Sequence, residues 1–139
     1  MTIDGQITDE ESGYAVVFED DGRVAYGCLL DPKGRIVGDT WLYNRCETPD
    51  KPEWTDLKNA PFTNSAEYAH SHDELVPAND FFSEVDAEFE TQEDSRMRAN
   101  IFIRGDLFGV LEEGAKPGWA RLAKKDGPAA RVLLISHTP

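Results

Sequence analysis

Along most of this chain apolar residues come in runs of strand length, alternating with polar positions or broken by turn residues, and none recurs at helical spacing over several turns. The clearest instance is residues 13–43. Three apolar runs, 14–19, 23–30 and 35–43, are separated by Asp21-Gly22 and by Asp31-Pro32-Lys33-Gly34. Each run is rich in β-branched or aromatic residues and too short for a typical helix. Asp-Gly between such runs signals a tight hairpin, because Gly accepts the positive φ that the turn needs. In the second turn Pro32 pre-sets φ at the first central position and Gly34 suits a left-handed position after it. The pattern predicts an antiparallel three-strand meander.

Within that meander, Val24, Tyr26, Cys28 and Leu30 fall on one face of the second strand, and Ala25, Gly27 and Leu29 on the other. On the third strand Val37, Trp41 and Tyr43 are expected to share a face with Asp39. Gly27 and Gly38 fall inside strands, where Gly marks a bend, a bulge or a close approach. Upstream, residues 1–12 read as a flexible acidic start in which Ile3 and Ile7 offer a short strand.

The second half repeats the strand signal. From Phe81 to Glu90, Phe81, Val85, Ala87 and Phe89 face one way, and Glu84, Asp86, Glu88 and Glu90 the other. A strand with one buried and one acidic face follows. Arg96, Arg98 and Arg104 arrive next, positioned for a cross-strand charge ladder against those acids. Residues 96–104 and 106–112 form a further hairpin pattern around Gly105-Asp106. The stretch 119–125 suits a helical turn or a short strand, and 131–136 a last buried strand. The expected fold is therefore mainly β, with α+β the alternative. It is a curled antiparallel sheet, small barrel or sandwich of about six or seven strands, in one domain over residues 13–136. Residues 44–80 interrupt it with four prolines and four asparagines, and Asn64 with Glu67 resembles a helix cap. One or two short helices are expected in that connection.

Charge changes the picture more than composition does. The chain of 139 residues carries a formal net charge of −13. From residue 95 onward basic side chains outnumber acidic ones eight to four, so the excess of acid lies before it. Direct nucleic-acid binding by phosphate neutralisation does not fit, whereas a basic protein partner does. No apolar run approaches the ~20 residues of a spanning helix, and no leader-like start is visible. Cys28 and Cys46 are too far apart along the expected strands for a disulfide, so two reduced thiols in a cytoplasmic protein are expected.

Candidate chemistry is sparse. His70 and His72, beside Asp73 and Glu74, are the densest group of metal-ligand types, but a catalytic metal generally needs three placed protein ligands. No nucleophile elbow, activated cysteine context or phosphate loop is present, so no cofactor is expected and enzyme chemistry is a minority reading. The leading expectation is an inhibitor or immunity-type module, monomeric or homodimeric, that neutralises a basic partner such as a nuclease toxin. Its contacts would be Trp54 and Phe62 as aromatic anchors with Glu84, Asp86, Glu88 and Glu90 as the acidic face. The alternative is a small-molecule or carbohydrate-binding β-barrel with Tyr26, Trp41, Tyr43 and Trp119 around a pocket.

Overall fold

The computed structural model describes residues 3–21, 24–44, 85–123 and 125–133, and these contain strands and turns with no helix. The helices expected between 44 and 80 lie outside the described residues, as do Trp54, Phe62, His70, His72 and Glu84. Four strands build the first sheet: β1 (Ile3–Thr8), β2 (Ala15–Asp20), β3 (Val24–Leu30) and β4 (Ile36–Asn44), antiparallel in that order. Five build the second: β5 (Val85–Thr91), β6 (Met97–Ile103), β7 (Asp106–Glu112), β8 (Trp119–Ala120) and β9 (Arg131–Val132). Neither sheet closes into a barrel. Each sheet is drawn from one contiguous stretch of chain.

The meander forms as its turn chemistry dictates. Gly34 adopts φ 82°, its N–H bonds the Asp31 carbonyl at 2.9 Å, and Asp31 and Arg35 close the hairpin. At the first turn Asp21 N–H donates to the Val24 carbonyl at 3.2 Å, and the Asp21 carboxylate accepts from Val24 N–H at 2.9 Å. In the acidic start, read as flexible with a short strand offered by Ile3 and Ile7, Ile3–Thr8 forms that strand and pairs with the whole of β2. Its hairpin is closed by Gly13 at φ 81° and by Asp9, which exchanges backbone bonds with Gly13 and Tyr14.

Two expectations change, and one open choice is decided. Trp41 and Tyr43 do not share a face. A bulge between Ala25 and Tyr26 makes Trp41 pair with Tyr26 and Tyr43 with Ala25, which are adjacent and face oppositely. The 119–125 stretch takes its short-strand option, with two residues in β8. The last strand is two residues long within the described range, half-buried rather than buried, and parallel to β8.

The core lies between the sheets. Val16, Phe18, Ala25, Leu29, Leu42 and Tyr43 of the first sheet cluster with Ala99, Ile101, Ile103, Leu111 and Ala120 of the second. Fully burying an aliphatic or Phe side chain contributes roughly 1.5–3 kcal/mol, so this cluster is the main source of stability. Gly27 admits the second sheet closely: a Cβ there would lie 2.6 Å from Ile101 Cδ1. At the far end of the core the Tyr43 hydroxyl donates to the fully buried Asp20 carboxylate at 2.6 Å.

The sheets are also stitched along one edge. On the side of β4 away from β3, Val37 and Asp39 carbonyls accept from Gly114 and Gly118 N–H at 2.8 and 2.7 Å. Trp41 N–H donates to the Ala129 carbonyl at 3.0 Å. Gly38 is required here, since its Cβ would stand 2.8 Å from the Glu112 carbonyl oxygen. A second tie runs from Tyr14, whose hydroxyl bonds Glu113 Oε1 and Oε2 at 3.0 and 3.1 Å, while Glu113 Oε1 accepts from Met97 N–H at 3.2 Å. Burial and the Glu113 carboxylate both push the Tyr14 phenol up.

Candidate functional site

The second sheet has a core face and an outer face, and the register fixes what the outer one displays. On β5, Val85, Ala87 and Phe89 turn inward while Asp86, Glu88 and Glu90 are exposed. Across the pairing, Asp86 stands opposite Phe102, Glu88 opposite Asn100 and Glu90 opposite Arg98. One strand further, Arg98 faces Glu112 and Asn100 faces Val110, and Val110 in turn faces Trp119 of β8. Trp119 is paired with Arg131 of β9. The outer face therefore runs from an acidic edge strand, through Arg98, Asn100 and Phe102, to an apolar patch around Val110 and Trp119.

Among the described residues the expected charge ladder keeps its register at Glu90 and Arg98 but forms no ion pair there. Arg98 bonds Glu112 instead, at 3.0 Å from Nη2 to Oε2. Arg96 lies before β6, in the turn, and pairs with Asp94 at 3.4 Å. Arg104 lies in the turn after β6, at φ 53°. Among the described residues, the pairing from Val85–Ile103 to Thr91–Met97 sets one of these arginines, Arg98, opposite an acid, Glu90. Asp86, Glu88 and Glu90 form no ion pair among the described residues. Exposed carboxylates at alternate positions of one strand recur about every 6.8 Å.

At the other end of the face, the Arg131 guanidinium lies 4.1 Å from the Trp119 ring centroid. The same guanidinium donates to the Pro117 carbonyl from Nε at 3.0 Å and from Nη2 at 2.6 Å. Arg131 thus clamps the indole by cation–π contact and by its fork. Beside the indole is an open cavity of about 250 Å³ lined by Arg98, Val110, Trp119, Val132 and Leu133. Arg98 Nε is buried there without a hydrogen-bond partner. Nothing in the sequence marked Arg98, Val110 and Trp119 as neighbours, because they meet only through the β6–β7–β8 register.

The remaining candidates separate. Trp41 and Tyr43 are 1% and 0% exposed and belong to the core, while Tyr26 is half-buried against it. The two sheets are open, so the barrel of the alternative reading does not form, and of its four aromatics Trp119 is the one that lines the cavity above. Asp39 is half-buried beside Cys28, its cross-strand partner. Cys28 is a free thiol, and burial followed by the Asp39 and Glu19 charges pushes its pKa up, which makes it a weak nucleophile. Among the described residues no group of three or more His, Cys, Asp or Glu is arranged to hold a metal. No helix among them is long and apolar enough to cross a membrane. Comparison with protein families, with curated proteins and with solved structures finds no match to this chain.

Proposed function

We propose that this chain is a protein-binding module of the inhibitor or immunity type, which neutralises a basic partner such as a nuclease toxin through the outer face of its second sheet. The observation that supports this most is the acidic edge. Asp86, Glu88 and Glu90 are exposed in one row, and the arginine opposite Glu90 is bonded to Glu112 instead. Three adjacent carboxylates repel one another, and a partner's Lys or Arg side chains relieve that repulsion on contact. Phe102, Leu107 and Trp119, half-buried on neighbouring strands, add the aromatic and apolar area that anchors protein contacts. Trp54, Phe62 and Glu84 belong to the same proposal from the sequence.

The test is capture of partners from the source lysate at low and at high salt, with the wild type and with the triple variant Asp86→Asn, Glu88→Gln, Glu90→Gln. The expected result is one stoichiometric basic protein, released more readily by salt and lost or weakened at least tenfold with the variant. A partner that binds the triple variant equally well, with the same salt dependence, overturns the acidic-face reading.

A further inference from the structure

We infer that the cavity between Arg98 and Trp119 is a binding site for a small planar carboxylate, an aromatic ring carried on a short acid arm. Size comes first. A cavity of about 150 Å³ suffices for benzene, and 250 Å³ leaves room for a ring with a two- or three-atom arm. The walls come next. Val110, Val132 and Leu133 are aliphatic, and the indole of Trp119 supplies a flat surface for an arene. Arg131, itself fixed on the Pro117 carbonyl, holds that indole at 4.1 Å from the ring centroid, so the wall is set before a ligand arrives and little ordering is left to oppose binding.

The polar end is Arg98. Among the described residues of the lining it is the sole charged side chain, and that side chain is 39% exposed. Of its five N–H groups, the hydrogen bond to Glu112 uses one, and the buried Nε–H has no acceptor. A carboxylate is the acceptor that a guanidinium binds best, and a ring in the cavity directs its acid arm to that head group. Glu112, and Glu90 across the strand, compete for the same cation, so the affinity is set by how far Glu112 can be displaced. That competition gives the site a property an apolar dent lacks: removing the Glu112 charge strengthens it.

The experiment uses the full chain, 15N-labelled, in 0.15 M salt, titrated with 3-phenylpropionate and separately with 3-phenylpropylamine, a cation of the same shape. The expected result is saturable shifts of the Trp119 indole N–H and of the Val110 and Val132 amides. The carboxylate should bind at least tenfold more tightly than the amine. Glu112→Gln should tighten the carboxylate severalfold, Arg98→Met should abolish the preference, and Val132→Phe, which fills the cavity and leaves both charges in place, should abolish binding. No shifts with either probe, equal binding of the two, or indifference to Glu112→Gln overturns the proposal.

Discussion

Gly27 and Gly38 show how single positions set the distance between the sheets. Both were legible as special, because Gly weakens a strand and persists where something approaches. What approaches was not legible, since Ile101 and Glu112 lie more than seventy residues further on. The two sites call for different responses to Ala. At Gly27 the obstacle is the tip of the Ile101 side chain, so Gly27→Ala is expected to cost about 1–3 kcal/mol by overpacking. Removing that tip with Ile101→Val should then recover part of the loss, and urea unfolding of the double-mutant cycle reads the coupling. At Gly38 the obstacle is a backbone carbonyl, so Gly38→Ala should destabilise with no rescue from Glu112 side-chain variants.

Asp31 is the other residue whose role the sequence foreshadowed, as the first residue of the Asp-Pro-Lys-Gly turn. It is 5% exposed, and its carboxylate accepts from Lys33 and Arg35 N–H, each at 2.9 Å, and pairs with Arg35 Nε at 2.7 Å. The Arg35 backbone N–H, foremost, and the guanidinium hold its carboxyl below the usual value, against the opposing effect of burial. A lowered folded pKa means the contribution is complete above the unfolded value, about pH 4, and is lost as pH falls through the folded one. The stability gap between wild type and Asp31→Asn should therefore narrow from pH 6 to pH 2 in urea unfolding. A gap that stays constant over that range would show that the charge is not what Asp31 contributes.

At the scale of elements, hairpins were readable because turn and strand are neighbours in sequence. The β3–β4 turn and the alternation on β5 follow directly from local pattern, and the acidic face stands where alternation put it. The β6–β7 hairpin came within a residue: its two turn residues are Arg104 and Gly105, at φ 53° and 83°, and Asp106 opens β7. A one-residue bulge in β4, at Leu42, was not readable. It separated Trp41 from Tyr43 and so dissolved the aromatic group that suggested a pocket. The ion pair of Arg98 differs from the expected ladder for a similar reason. Alternation gives the face of Arg98 but not which neighbouring strand its side chain reaches toward, and Glu112 lies on β7, opposite it.

At the scale of the molecule, nothing local foretold how β4 is completed. Its outer edge bonds Gly114, Gly118 and Ala129, from turns that the sequence showed merely as glycine and proline punctuation. That seam, with Tyr14 and Glu113, makes two sheets one unit, although the first ends at Asn44 and the second begins at Val85. A boundary so cleanly placed in sequence makes the chain a natural two-part assembly. Fragments 1–64 and 65–139, expressed separately, are expected to recognise each other and restore the wild-type amide spectrum of the strands, because the surfaces that join them are complementary rather than continuous. Split halves fused to two other proteins would then report when those proteins meet, with Gly38 as the position at which the reassembly can be weakened.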